Sequence, residues 1–390
     1  MNTCIKYLLI CLSVISMIVG CPSNVVKEDS GEGAPEPQKP LCDADRLQTD
    51  FTALIENLRR EAEPASPGLS VALVYPKGVD YEVVEVAAGL SSLENPTFLI
   101  SKDVFQMGAI TEAFIAAGIL LLQEQGKVLL EGTISQYLDE VAYASLGNVG
   151  GLTLRNLALK ETDLVGYYDV GMPVDPTPSD RIAFFRTALE NIEESAEQIR
   201  LDYVILGMII EQVTQLTSWR SLGSWLLDNV GLATMGKTGF PTSDQYTVVN
   251  GYQATAGELD QILHHIDKPG SYYWADRNLV TNVTELAEWY YWLNSGEDIL
   301  KESSRNEMFT FKDSIGLGSR SYDLETKMPG ELYGMHGTLP GYLGMVGYWP
   351  EAQVSMAVAL NQTGVLQVQE VFEKAIELFL DNSDCRQLPY

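Results

Sequence analysis

Residues Phe105 to Leu122 read FQMGAITEAFIAAGILLL. A glycine at 108 opens a loop. From there on, apolar residues fall on nearly every face of a 3.6-residue turn instead of along one stripe. A helix of that kind must be covered on all sides, so it belongs at the centre of a sizeable domain. One charge, Glu112, stands in its first turn, where the helix macrodipole favours a negative group.

On the N-terminal side, Asp43 to Glu63 has the stripe of an amphipathic helix (Leu47, Phe51, Leu54, Ile55, Leu58), stopped by Pro64. Pro67-Gly68 turns the chain into a short apolar strand, Leu69 to Val74, and Tyr81 to Ala88 follows as its hairpin partner. On the far side, Tyr342 to Tyr348 and Val354 to Leu360 are expected as strands and Val365 to Leu380 as a last amphipathic helix. The stretch between is mostly helical in pattern. The expectation is an α+β fold, an antiparallel sheet flanked by terminal helices, with a large helical insertion. The α/β part then covers about 42–100 and 310–385, and the helical part about 101–309.

The chain has 390 residues and a net charge of −28. Such acidity opposes nucleic acid and anionic lipid surfaces, both of which would repel it. At the N-terminus, Lys6 precedes an apolar run, Tyr7 to Val19, too short to cross a bilayer. It ends Ile18-Val19-Gly20-Cys21, which resembles the cleavage box of bacterial lipoproteins. Residues 1–20 are then a signal peptide, Cys21 the lipidated first residue, and 21–41 a tether rich in Pro, Gly, Ser and Glu. That implies a lipid-anchored, extracytoplasmic protein of the bacterial cell envelope, held to the membrane by lipid alone. Pairing the first and last strands would bring Cys42 near Cys385, in a compartment that permits a disulfide; two free thiols are the alternative.

Several blocks resemble the serine β-lactamase-related family, which includes class C β-lactamases, D-Ala-D-Ala carboxypeptidases and related esterases. PGLSVALV at 67–74, GLTLRNLALKETDLVGYYD at 151–169, DYVILGMIIEQVTQ from Asp202, LVTNVTELAEWYYWLNSGEDIL from Leu279 and HGTLPGY at 336–342 are similar to family segments and occur in the family order. The resemblance runs from about Pro67 to Leu380 and implies a β-lactamase/transpeptidase-like fold. The family's chemistry needs a serine nucleophile, a neighbouring base and two backbone N–H groups for the oxyanion.

At each of those places the side chains depart from the pattern. The Ser-x-x-Lys positions hold Ala109 and Glu112, the Tyr-x-Asn positions hold Gln198 and Arg200, and the Lys-Thr-Gly or His-x-Gly triplet is Met335-His336-Gly337. The family's His-Thr-Ser-Gly turn is Lys160-Glu161-Thr162-Asp163. The resemblance therefore implies a scaffold without serine acyl-transfer activity, with no catalytic residue expected, working by binding a cell-wall peptide or an envelope protein. Two other readings stay open. One is an active esterase- or peptidase-type hydrolase using His336 and Glu112 as a general base on water or on Thr111; the other is a structural envelope protein.

Within the former cleft, Glu112 and Arg200 are expected to form an ion pair that plugs the site. The N–H groups of Ala109 and Thr338 are expected to survive as an anion-binding notch. Lys237-Thr238-Gly239 spells the family's third motif but falls between helices, where it has no catalytic place. His264 and His265 read as packing or surface residues. No second histidine or cysteine stands at metal-ligand spacing from His336, so neither a metal nor a cofactor is expected.

Overall fold

A computed structural model describes residues 43–167, 198–216, 219–240, 247–262, 274–296, 298–324, 326 and 330–382. Contacts within the chain divide it between Lys39 and Pro40. Cys21, Cys42, Cys385, His264 and His265 lie outside the described residues, as do the signal and tether segments.

The first helix runs Ala44–Glu61, and the Asp43 carboxylate caps it by accepting from the N–H groups of Asp45 and Arg46. Leu47, Phe51, Ile55 and Leu58 form its buried stripe. The strands Gly68–Lys77 and Asp80–Ser92 make the expected hairpin. Val354–Leu360 lies antiparallel on the other side of the first strand, with Leu69 opposite Leu360, Val71 opposite Val358 and Leu73 opposite Met356.

Eight antiparallel strands form the main sheet. The order is Ile315–Gly316, Ser319–Tyr322, Leu332–Leu339, Tyr342–Trp349, Val354–Leu360, Gly68–Lys77, Asp80–Ser92, Thr97–Phe98. Its middle strands are buried on both faces, which explains their unbroken apolar runs. Phe51 and Ile55 of the first helix, with Phe372, Ile376 and Phe379 of the last, cover one face against Val71, Leu73, Met356 and Val358. The other face carries Ala72, Val346, Ala357 and Ala359 against the helical part. At the heart of that second core lies the helix Thr111–Glu124, where every residue from Thr111 to Leu120 is buried and Phe114 stacks on Trp289 at 3.9 Å.

Three local departures from the sequence expectation have physical causes. The last helix begins at Val368 rather than Val365, after a turn in which the Val365 N–H donates to the Gln362 side chain and Gly364 has φ 85°. The helical insertion contains a hairpin, Gly251–Thr255 with Glu258–Ile262, paired in parallel with Gln362–Thr363. Its two-residue turn has positive φ at both Ala256 and Gly257, and an alanine in the first of these positions hides the usual turn signature. Finally, the strand Leu332–Leu339, which carries His336 opposite Met345, has no counterpart among the expected strands.

Candidate active site

The strand Leu332–Leu339 carries glycines that weaken any strand signal, yet close approach requires them. A Cβ on Gly337 would stand 1.9 Å from the Met107 carbonyl oxygen and 3.0 Å from the Ala109 nitrogen. Across the same contact, a Cβ on Gly108 (φ 53°) would lie 3.0 Å from both the nitrogen and the oxygen of Thr338. The loop before the central helix is thus pressed backbone to backbone on the strand. The N–H groups of Ala109 and Thr338 are brought to one place, and Ala109, Thr338, His336, Arg277, Gln253 and Thr363 line a cleft of about 420 Å³ there.

Glu112 stands in the first turn of the helix with its side chain only 3 % exposed, and its Oε1 accepts from Lys160 Nζ at 2.6 Å. Lys160 follows the short helix Leu154–Ala158. Its N–H goes to the Leu157 carbonyl and the next N–H, of Glu161, goes to the Asn156 carbonyl. This is a Schellman turn whose left-handed residue, φ 55°, is usually glycine. A lysine in that place sends its chain to Glu112, with Nζ 5.5 Å from the centre of the Tyr203 ring. Burial pushes the Tyr203 phenol well above its ordinary pKa, and the Glu112 charge adds to this; the phenol donates to the Ala158 carbonyl at 2.8 Å.

The expected Glu112–Arg200 ion pair does not form; each side chain has another partner. Arg200 Nε donates to Asp202 at 2.8 Å, and its Nη2 donates to the carbonyls of Lys160 and Thr162. Asp202 is fully buried in the first turn of the helix Leu201–Thr214 and also accepts from the Thr162 hydroxyl. That nearby carboxylate captures the guanidinium, which then clamps the turn carrying Lys160. Gln198 is placed by its backbone opposite Tyr167 in a short strand pair.

The sequence model of the Beta-lactamase family matches residues 51–377. The chain belongs to that family. Among solved structures, it is similar to D-amino acid amidase from Ochrobactrum anthropi SV3 complexed with D-phenylalanine (TM-score 0.66, 20 % identity, covering 87 % of this chain and 99 % of that one). It is also similar to the octameric penicillin-binding protein homologue from Pyrococcus abyssi (TM-score 0.64, 21 % identity, 89 % and 80 % covered). A third likeness is to D-stereospecific amidohydrolase from Streptomyces sp. (TM-score 0.62, 18 % identity, 84 % and 98 % covered). No curated protein matches the chain.

The remaining residues of the expected site sort by strand alternation. Met335 is 3 % exposed and packs into the core shared with the central helix, so an apolar side chain lies where the β-lactamase-family resemblance expects lysine or histidine. His336 and Thr338 point the other way. His336 Nδ1 is 2.8 Å from the Tyr322 hydroxyl. Desolvation, then the positive charges of Arg320 and Lys160, hold its pKa below the ordinary value. His336 therefore bonds Tyr322 while Glu112 bonds Lys160. Thr111 is fully buried, donating to the Gly108 carbonyl and accepting the Leu279 N–H, which removes it as a nucleophile. The Lys237-Thr238-Gly239 segment is tied to Glu285 by the Lys237 N–H and the Thr238 hydroxyl. Among the described residues no group of three His, Cys, Asp or Glu side chains could hold a metal ion.

The sequence reading named Lys160 in a departing turn but missed its pairing with Glu112, and it missed Tyr322 altogether. A left-handed position filled by lysine leaves no mark in the sequence, and Tyr322 reaches His336 only through the pairing of two distant strands.

Proposed function

We propose that this β-lactamase-family protein performs no serine acyl transfer and works by binding at the cleft between Ala109 and Thr338. The observation that carries the reading is the Glu112–Lys160 ion pair beside Ala109. Where the family resemblance expects a hydroxyl and a lysine able to accept its proton, there is a methyl group and a carboxylate already bonded to an ammonium. Removing a nucleophile costs about 10⁶ in rate and leaves roughly 10³ to 10⁴ over water from oxyanion contacts and binding, too little for biological turnover.

Binding needs less than catalysis. Two converging backbone N–H groups, with the Arg277 side chain on the wall, suit the carboxylate or acyl group of a short peptide. The D-phenylalanine named for the Ochrobactrum amidase is a ligand of that general size and charge. In this reading Cys21 anchors the protein by lipid at the bacterial cell envelope, and the ligand is a cell-wall peptide or the exposed end of an envelope protein.

The test is hydrolysis of p-nitrophenyl acetate by the wild type beside a Glu112→Gln, His336→Ala double variant, together with calorimetric titration of a short D-alanyl peptide. Expected are release no faster than in buffer for both proteins, and heat of binding for the wild type. Turnover well above buffer that disappears in the double variant would overturn the reading and reveal a rebuilt hydrolase.

A further inference from the structure

A second cleft, about 810 Å³ in volume, lies between the C-terminal end of the helix Val283–Ser295, the helix Glu302–Met308 and the hairpin turn at Asp80. It shares no lining residue with the cleft at Ala109. Its walls are aromatic. Tyr81 packs against Tyr291 at 5.7 Å and edge-on to Trp292 at 5.4 Å. Opposite them, Phe309 stacks on Tyr333 at 5.6 Å, with 17° between the rings.

Polar groups stand among these rings. Arg305 Nη1 is buried and has no hydrogen-bond partner, and no ion pair of Arg305 occurs among the described residues. Nη1 itself is covered by protein, and the cleft meets the rest of the half-buried Arg305 side chain. The Asn306 side chain is exposed on the same wall. Asn294 gives its amide N–H to the Tyr290 carbonyl, and Asp80 and Glu302 add carboxylate acceptors to the lining.

We infer that this aromatic cleft is a binding site for a neutral oligosaccharide. The C–H faces of pyranose rings carry the weak positive charge that the negative faces of tyrosine and tryptophan attract. Hydroxyls both donate and accept, which matches a lining with a guanidinium, amides and carboxylates. An apolar ligand would strip water from Asp80, Glu302 and Asn306 and put nothing in its place. An anion would face Asp80, Glu302 and the chain's net charge of −28. The volume is that of a site taking a ligand of a few sugar rings.

The experiment is isothermal titration calorimetry of the full chain with triacetylchitotriose, cellotriose and maltotriose, and with trigalacturonate as the charged control. At least one neutral trisaccharide is expected to bind with a Kd of about 1 mM or tighter. Arg305→Met should weaken it about tenfold and Asn306→Ala about threefold, while Glu112→Gln in the other cleft leaves it unchanged. Asn306 is exposed, so its variant keeps the test valid if Arg305→Met does not fold. The inference is overturned if no neutral trisaccharide binds, if only trigalacturonate does, or if binding is the same in the Asn306→Ala and wild-type proteins.

Discussion

Breaking the Glu112–Lys160 pair from one side and then from both is the sharpest test of how the cleft is built. Lys160→Met keeps the length of the chain and its packing on Tyr203 but strips the ammonium from a carboxylate that is 3 % exposed. Removing one partner of a buried pair costs about 3–5 kcal/mol. Lys160 is 20 % exposed, so water reaches its end of the pair and the lower figure, about 3 kcal/mol, is expected. Glu112→Leu leaves a lysine that can turn toward solvent; it forfeits about 0.5 kcal/mol of helix-dipole interaction and about 1 kcal/mol in all. The double variant replaces an ion pair by two apolar side chains of similar volume, an exchange that is often near neutral. The cycle should therefore show a coupling of about 4 kcal/mol between residues 112 and 160. Urea unfolding gives the free energies, with an unchanged slope confirming that the compactness of the end states is the same. A double variant that loses the sum of the two single losses would refute the pair as a coupled unit.

Ala109→Ser alone is expected to raise ester hydrolysis by less than about tenfold over buffer, because Glu112 is already bonded to Lys160 and no lysine follows the new serine by one turn. Arg200→Met should cost about 3 kcal/mol in urea unfolding, since it leaves the fully buried Asp202 with only the Thr162 hydroxyl and frees the turn that carries Lys160. His336 has a folded-state pKa below its unfolded value, so the unfolded chain binds more protons in the interval between them. Its contribution is fully present above the unfolded pKa, 6.5, and is lost as pH falls below it; His336→Gln should flatten that part of the pH–stability profile.

The terminal elements were legible because each carries a single period. The first helix shows its stripe of Leu47, Phe51, Ile55 and Leu58, and Val354–Leu360 is an unbroken apolar run with the residue bounds the sequence suggests. The central helix was legible for the opposite reason, having no polar face at all. The strand carrying His336 was not, since Gly334 and Gly337 weaken any strand signal. Their absent side chains answer instead to Val346 and Met107 carbonyl oxygens that only the folded chain brings near. Within the site, the positions at 109, 112, 200, 335 and 336 followed from the family blocks, but their pairing did not. Charge complementarity across a cleft suggested Glu112 with Arg200, whereas Asp202, two residues from Arg200, had the shorter reach.

The ion pair is not accounted for by stability alone. Two apolar side chains would hold the same space at no greater cost, and Lys160 occupies a left-handed backbone position that a side chain enters at a cost of about 1 kcal/mol or more. A merely filled cleft would need neither charge. An ammonium held on Glu112, three residues along the chain from Ala109, does make sense if an anionic group of a ligand draws it, with Glu112 keeping Lys160 in place while the cleft is empty. The Glu112→Leu, Lys160→Met protein separates the two cases in one titration. If it is as stable as the wild type and no longer binds the D-alanyl peptide, the pair serves the ligand. If it is as stable and binds with the same Kd, the pair is only filling.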